Sequence, residues 1–399
     1  MNTKKMLAVL VAGACGAPLL ASAQDAPIVM YGNLYPQFNS VSTSGATAAT
    51  GPRNTLSAAP TGVELPRHNQ VDSSNSRLGF RGSENLGNGY KAFFQIESKV
   101  PIDAGGGQLA TRDSFVGLSG GFGSVKLGNM DTVYKQYGDS LSFLGVSSGN
   151  FVSNSGVLSK AGFGTSSSSS FHLRRANSAV YESPELEGIQ FAIGYSPDEV
   201  KTTNRNADLV STGIKYGKKG SPLYLALAYE NHNDLFGGSR NAPAALSNFA
   251  NLNARSKDKA VRLTVQYAIL ANTSVEVNYA VMEYKETGGL SGRFNNYKHN
   301  AFNISVAHKM GPWQFAGAFV QSSKGTCSLV GGANCTTDGL KGSQLSLGTS
   351  YSFSKRTSVF AIYAKIYNGF AATYSNLDSG TLANGSDPSQ FALGVQHKF

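Results

Sequence analysis

Hydrophobic positions alternate with small or polar ones over many short stretches of this chain. The clearest case is the carboxy-terminus, where one parity carries Phe391, Leu393, Val395, His397 and Phe399 and the intervening residues are small or polar. Successive side chains of a strand point to opposite faces, so this pattern predicts a strand with one apolar and one polar face. The pattern alone leaves open whether that strand belongs to a soluble sandwich or lies against a bilayer.

The amino-terminus indicates export. Two lysines precede an apolar run over 6–20, and Ala21-Ser22-Ala23 follows it. This arrangement predicts a secretory signal peptide at 1–23 that is removed, leaving a single domain at 24–399. Cys15 leaves a lipoprotein signal as an alternative, which the residues before it match poorly. No other segment approaches the about 18 continuous apolar residues that a spanning helix needs.

Sixteen stretches show strand-like alternation. They lie at 28–40, 75–83, 90–100, 111–119, 124–130, 173–183, 189–196, 209–217, 222–231, 259–269, 273–285, 297–309, 313–322, 342–353, 357–368 and 388–399. The fifteenth is ambiguous in parity, because Val359 and Tyr363 oppose Phe360, Ile362 and Ile366. An exported sheet in a bilayer has to pair all its backbone groups by closing on itself. The sequence therefore predicts an all-β protein, a transmembrane antiparallel β-barrel with an even number of strands, sixteen.

The connections alternate between short turns and long polar segments. Long segments occupy 41–74, 131–172, 197–208, 232–258, 286–296, 323–341 and 369–387. Short turns at one end and long loops at the other are typical of barrels with periplasmic turns and external loops. The chain has 46 glycines, 41% hydrophobic residues and a mean hydropathy of −0.18, which fits a barrel with a polar lumen. A large soluble β protein with long insertions is the alternative.

Several motifs carry a family resemblance. The stretches 76–98 and 112–123, and the ending from Gly394 to Phe399, resemble Gram-negative general porins, most of all their beta-proteobacterial branch. The resemblance spans nearly the whole chain after residue 23. It implies a homotrimeric diffusion channel in the lipid of the cell outer membrane, with a third external loop, 131–172, folded into the lumen. It also implies that Phe399 is the signal read by the barrel-assembly machinery.

Strand parity and the resemblance together indicate which charged side chains line the pore. Charged residues within a membrane protein face water-filled cavities, and rings of Arg and Lys select anions. The expected pore-lining or constriction residues are Arg77, Arg81, Lys91, Glu97, Arg112, Lys126, Asp131, Asp139, and one of Arg174 and Arg175. Arg112 is included by resemblance, since parity leaves its face open, and a position at the interfacial rim is the alternative for each residue.

The third loop differs from the enteric pattern, because it carries only Asp131 and Asp139 as acids beside Lys135, Lys160 and His172. Cationic residues therefore outnumber acidic ones among the expected pore-lining positions. The sequence predicts a passive channel for small hydrophilic solutes and ions that prefers anions.

The two cysteines after residue 23, Cys327 and Cys335, lie in one predicted external loop. In an oxidising compartment this spacing favours a local disulfide, with two unlinked thiols as the alternative. No histidine lies near them, so a metal site is not expected. The chain has a net charge of +10, or +8 without residues 1–23, but its basic residues are dispersed, and no nucleic-acid partner is expected.

Catalytic signals are weak, since no metalloprotease, phosphate-loop or nucleophile-elbow motif occurs, and neither an enzyme nor a cofactor is expected. His232 with Asp234 keeps a barrel-mouth hydrolase as an alternative, which a ten- or twelve-stranded barrel would favour. A second alternative is a surface receptor or adhesin with a plugged barrel. Absence of conductance would distinguish that protein from a channel.

Overall fold

The computed structural model describes residues 28–138, 153–202, 204–375 and 382–399. Within them the chain forms nineteen strand segments, and three pairs of consecutive segments are halves of interrupted strands, which leaves sixteen barrel strands. The strands are β1 (Val29–Leu34 and Gln37–Ser44), β2 (His68–Asp72 and Arg77–Gly87), β3 (Tyr90–Lys99), β4 (Ser114–Gly120), β5 (Gly123–Asp131), β6 (Arg174–Glu182), β7 (Ile189–Lys201), β8 (Asn206–Tyr216), β9 (Leu223–Asn233), β10 (Arg255–Leu270), β11 (Thr273–Thr287), β12 (Phe294–Met310), β13 (Trp313–Ser322 and Thr326–Leu329), β14 (Gly342–Ser352), β15 (Thr357–Asn368) and β16 (Asp387–Lys398).

The sheet closes on itself. Each strand pairs antiparallel with the next along the chain, and both halves of β1 pair with β16 as well as with β2. Beyond β16, the Gly32 N–H donates to the Phe399 carbonyl over 3.1 Å, and the Phe399 N–H donates to the Gly32 carbonyl over 3.2 Å. A closed sheet presents no unpaired edge to lipid. The predicted sixteen-stranded antiparallel barrel is confirmed.

The two faces of the wall follow strand parity. In β12 the apolar Phe302 and Ile304 are exposed on the outside, whereas Asn303 and Ser305 are buried inside the barrel. The same rule resolves the ambiguous β15, whose Val359 and Tyr363 face outward. Its inner face carries Phe360, Ile362 and Ile366, all buried.

The break in β1 accounts for the apolar residues on the inner face of β15. Pro36 has no backbone N–H and interrupts the strand between its two halves. Tyr35, just before the proline, stacks on Phe360 with the ring centroids 4.4 Å apart and is 1% exposed. The sequence predicted one continuous strand here, whereas the structure has two halves joined by an inward-pointing tyrosine.

The segment between β5 and β6, residues 132–173, is loop 3. Its described parts, 132–138 and 153–173, lie inside the barrel and contain the short helices α1 (Val133–Gly138) and α2 (Ser155–Leu158). Helix α1 contacts β7 to β10, and α2 contacts β12 to β14, so these two parts lie against different sides of the lumen wall. Of the helices in the part of the chain that the structure describes, none has the length and apolar character needed to span a membrane.

An apolar cluster holds loop 3 against the wall. The loop contributes Val133, Tyr134, Tyr137, Val157, Leu158, Phe163 and Phe171, and the wall contributes small and aromatic residues such as Ala226, Ala260, Met282, Tyr284 and Tyr297. All these side chains are at most 3% exposed. Small residues on the inner wall leave room for the loop's aromatic rings. The expectation that the third loop folds into the lumen is therefore met by its described parts.

Candidate functional site

The inner wall of β2 to β6 carries a network of charged side chains. Glu97 on β3 is its first centre: Arg112 Nε donates to Glu97 Oε1 over 2.5 Å, and the Tyr31 hydroxyl donates to Oε2 over 3.0 Å. Arg77 Nε lies 3.7 Å from the same Oε2. Gly79 lies opposite both Tyr31 and Glu97, and a Cβ there would come within 2.3 Å of the Tyr31 ring. Glycine at this position therefore lets the tyrosine lie across the wall toward Glu97.

A second centre forms where loop 3 leaves and rejoins the wall. Arg174 donates to Asp113 Oδ1 over 2.6 Å and approaches Asp131 Oδ1 to 2.7 Å. Lys135 of α1 lies 2.9 Å from the same Asp131 oxygen. We call the two centres together the lumen network, made up of Tyr31, Arg77, Glu97, Arg112, Asp113, Asp131, Lys135 and Arg174. It contains four cationic side chains and three carboxylates.

A separate ion pair lies nearer the short turns. Lys126 Nζ contacts Glu182 Oε1 at 2.7 Å and lies 5.4 Å from the centre of the Phe115 ring. Arg81 lies 5.2 Å from the centre of the Tyr31 ring. Both Arg81 and Lys91 are exposed, and among the described residues neither has a carboxylate within ion-pair distance. Their positive charge is thus not neutralised by a neighbour.

The structure places most of the predicted charged residues together on this wall. Arg77, Glu97, Arg112, Asp131 and Arg174 are in the lumen network. Arg81, Lys91 and Lys126 lie on the same inner face, toward the short-turn end. Of the adjacent pair, Arg174 makes the ion pairs, whereas Arg175 lies opposite Met130 in the β5–β6 register. Asp139 lies outside the described residues, as does the predicted signal peptide.

Sequence reasoning missed two carboxylates of this wall, Asp113 and Glu182. Glu182 shares its parity with the buried Val180 and Ser178 on β6, so its inward direction was readable. Asp113 precedes β4 by one residue and shares the parity of the inward Phe115. Glu182 pairs with Lys126 and Asp113 with Arg174, so that with Glu97 four of the six predicted cations of the wall are paired. The net positive charge is therefore smaller than a count of inward cations indicates.

Loop 3 is fixed to the opposite wall by a buried arginine. Arg262 of β10 is 1% exposed, donates to the carbonyl oxygens of Tyr134 and Lys135, and has its guanidinium carbon 4.5 Å from the centre of the Tyr134 ring. A Cβ at Gly138 would overlap the guanidinium group, so only glycine leaves space for it. Arg262 lies between the outward Val261 and Leu263, so strand parity places it on the inner face. This signal could have identified Arg262 from the sequence.

Two titratable groups of loop 3 are mostly buried. Lys160 donates to the Ser375 carbonyl over 3.3 Å, and its burial lowers its pKa to about 8. Burial also holds the pKa of His172 well below its usual value, and the positive charges of Lys135, Arg262 and Arg174 act in the same direction. The docked loop is therefore stabilised when these two groups are neutral.

The side chains of His232 and Asp234 have different partners. His232 is fully buried, lies 2.8 Å from Glu230 Oε1 and stacks on Phe171 with the ring centroids 4.6 Å apart. Asp234 is held instead by Arg255 at 2.6 Å. Cys327, in the second half of β13, and Cys335, in the external loop that follows, are joined by a disulfide with their Cα atoms 5.8 Å apart.

Comparison with known proteins agrees with this architecture. The chain is 26% identical over 392 residues to the major outer membrane protein P.IB of Neisseria meningitidis serogroup B, covering 95% of this chain and 96% of that protein. It is 25% identical over 354 residues to an outer membrane porin protein of Bordetella pertussis, covering 81% and 82%.

Solved structures of channels share the fold. The anion-selective porin from Comamonas acidovorans superposes with a TM-score of 0.69 at 20% identity, covering 94% of this chain and all of that one. The trimer form of OmpT from Vibrio cholerae gives a TM-score of 0.62 at 14% identity, with the same coverage. A family model described as Gram-negative porin matches residues 7–369. With its closed barrel, inner loop and charged lumen, the chain thus belongs to the Gram-negative porin family of the cell outer membrane.

Proposed function

We propose that this porin passes small hydrophilic solutes by passive diffusion and prefers anions. The observation that carries the preference is the excess of positive charge on the β2 to β6 wall. The lumen network holds four cations against three carboxylates, and Arg81 and Lys91 add charge without a carboxylate partner among the described residues. Fixed charges in a narrow lumen raise the local concentration of counter-ions. The structural likeness to an anion-selective porin supports the proposal.

The test is the reversal potential of purified protein in planar bilayers across a potassium chloride gradient. We expect chloride to be favoured, and the preference to shrink as the Debye length falls to about 3 Å at 1 M salt. Replacing both Arg77 and Arg112 by glutamine reduces the preference, because two cations near the constriction are removed. Lys218→Gln, in an exposed short turn, is the control. A cation-preferring wild type, or a double mutant with an unchanged potential, contradicts the proposal, and absence of conductance favours a receptor or adhesin instead.

We infer that the chain is a channel without enzymatic activity. The His232 and Asp234 side chains engage different partners, and the barrel has more strands than the ten or twelve that would favour a barrel-mouth hydrolase. Esterase and protease assays on the folded protein are the check. Turnover that survives purification and is lost in His232→Ala would contradict this inference.

A homotrimer is the assembly that we propose. Near the start of β1, the outer surface has a depression of about 360 Å³ lined by Gly82, Ala92, Phe94 and Val116 together with the acidic Glu84. Small residues allow close approach of another copy, and a carboxylate on an outward face is unfavourable against lipid. Native mass spectrometry in mild detergent should give three chains. A monomer alone, under conditions that preserve conductance, speaks against trimerisation.

We also propose that residues 1–23 are removed on export and that Phe399 is read by the barrel-assembly machinery. The mass of the mature chain tests the first statement, because removal leaves Gln24 at the amino-terminus. A mature chain that retains residues 1–23 contradicts it. Deletion of Phe399 tests the second, with the expected result that less folded barrel reaches the outer membrane.

A further inference from the structure

A strip of aromatic rings lies on the charged wall, between the lumen network and the short turns. Phe93 of β3 and Phe115 of β4 make an edge-to-face contact with ring centroids 6.0 Å apart. Phe93 shares the strand parity of the inward Glu97, and the Phe115 ring contacts the inward Lys126, which places the two rings on the inner face. We call Phe93 and Phe115 the aromatic strip.

The strip is accessible from the lumen, unlike the aromatic residues beneath loop 3. Phe93 and Phe115 are both partly exposed, whereas Tyr284 and Tyr297 of the opposite wall are fully buried. Gly117 lies opposite Phe93, and a Cβ at this glycine would come within 2.5 Å of the Phe93 ring. The ring therefore lies close against the backbone of β4, with a face available to a passing solute.

Three cationic side chains lie around the aromatic strip, and among the described residues only one of them is neutralised by an ion pair. Lys126 contacts the Phe115 ring at 5.4 Å, but Glu182 already neutralises it. Arg81 and Lys91 are exposed and, within the described ranges, have no carboxylate partner. Lys91 is two residues from Phe93 on β3, about 7 Å along the strand on the same face. Arg81, on β2, lies diagonally opposite Phe93, so their two Cα atoms are about 7 to 8 Å apart.

This spacing suits a flat ring that carries an anionic group. The face of such a ring can pack on the edges or faces of Phe93 and Phe115, an arrangement that aromatic pairs favour. Arginine and lysine side chains are long enough to bring their charge from neighbouring positions to a carboxylate on that ring. A chloride ion meets only the charge, whereas an aliphatic carboxylate can contact the rings but lacks the additional aromatic pairing.

We propose that the aromatic strip with Arg81 and Lys91 is a weak binding subsite for aromatic carboxylates in the channel, an inference that rests on the proposed anion preference. The ring stacks on Phe93 and Phe115, and the carboxylate pairs with Arg81 or Lys91. Binding stays weak because the subsite is open to water on its lumen side, which allows release as well as entry. Aromatic acids are therefore concentrated on this wall relative to aliphatic acids of the same charge.

The experiment compares benzoate, cyclohexanecarboxylate and acetate as sodium salts at equal ionic strength, added to single channels carrying chloride current. Benzoate should block the current saturably, at a half-blocking concentration about fivefold lower than that of cyclohexanecarboxylate, as expected for one added aromatic contact. Phe93→Leu and Phe115→Leu should each remove most of this difference. Phe93→Tyr should keep it. Phe319→Leu, on the outward face of β13, is the matched control and should change nothing.

The outcomes separate this subsite from the proposed function. The phenylalanine variants should leave the chloride-over-potassium reversal potential unchanged, and heat-modifiable migration on gels should show that they are folded. Equal block by benzoate and cyclohexanecarboxylate in an anion-preferring wild type overturns the subsite and leaves the channel function intact. A benzoate effect that persists in the folded double variant Phe93→Leu/Phe115→Leu overturns it as well. A cation-preferring wild type overturns the anion preference itself.

Discussion

The ring of Phe399 lies directly over Gly32, and the two residues exchange both of their backbone hydrogen bonds, over 3.1 and 3.2 Å. This contact joins the last residue of the chain to β1 and completes the seam of the barrel. A Cβ at position 32 would lie 2.3 Å from the Phe399 ring, so the terminal aromatic residue fits only against glycine. Closure therefore depends on a matched pair of residues more than 360 positions apart.

Gly32→Val should impair closure of the barrel. The valine side chain displaces the Phe399 ring and weakens the seam, while the backbone conformation of a strand accepts valine. The folded fraction, measured by heat-modifiable migration on gels, should fall. Gly121→Val is the control, because no atom lies within 4 Å of a Cβ built there. An equal folded fraction in the two variants would mean that the Phe399 contact is dispensable.

Glu97→Gln should increase anion preference. The glutamine keeps the size of the side chain but removes the one carboxylate shared by Arg77 and Arg112. One unit charge about 8 Å from a passing ion in water is worth about 0.5 kcal/mol, with opposite signs for chloride and potassium, so the chloride-to-potassium permeability ratio should rise about fivefold at low salt. Glu187→Gln, exposed in a short turn and paired with Lys218, should leave the reversal potential unchanged. An unchanged ratio in Glu97→Gln would show that Glu97 does not act on the permeating ions, and a lower ratio would contradict the sign of its expected effect.

Arg262→Met should loosen loop 3. The methionine fills much of the same space but loses the hydrogen bonds to two carbonyl groups of α1 and the contact with the Tyr134 ring, which together are worth about 2 to 3 kcal/mol. Single channels should show more current noise and more frequent closures. Lys257→Met, exposed on the outside of the same strand, is the control. Recordings as quiet as those of the wild type would mean that the apolar cluster alone holds the loop.

The docking of loop 3 should strengthen as the pH rises above 8. Burial lowers the pKa of Lys160 to about 8, against an ordinary value of 10.5, so the docked loop binds this proton less tightly than the undocked loop does. The stabilisation is therefore fully present above about pH 10.5 and is lost as the pH falls toward 8. The frequency of channel closures should fall between pH 8 and 10 in the wild type, and it should change less with pH in Lys160→Met. A wild type with the opposite trend would contradict the burial of a neutral lysine.

Strand alternation was sufficient to predict the barrel, because one apolar and one polar face give a signal at every strand. It was insufficient at Tyr35 and Pro36, where the strand is interrupted and Tyr35 packs on Phe360, on the other side of β16. The lengths of β10 and β12 were also underestimated, since their external ends begin at Arg255 and Phe294 and extend beyond the apolar belt. Polar ends of this kind lack the alternation that identifies a strand.

The ion pairs of the lumen wall could be predicted only in part. Parity identified the inward face of Arg77, Glu97 and Lys126, but which charges meet depends on the register between strands. A register shift between Gly128 and Met130 on β5 changes the pairing with β6, and it brings Arg174 beside Asp131. A shift of this kind leaves little trace in one sequence, so the partners of Arg174 emerged only from the structure.

The contacts that attach loop 3 to the wall also determine when it docks during folding. Its contacts join distant parts of the chain, with separations of 128 residues from Tyr134 to Arg262, 149 from Asn154 to Asn303 and 215 from Lys160 to Ser375. Contacts between residues so far apart form late, because the intervening chain has to be ordered first. The narrow passage is thus completed only after the second half of the wall exists. We therefore expect a newly closed barrel to be wider inside until loop 3 has docked.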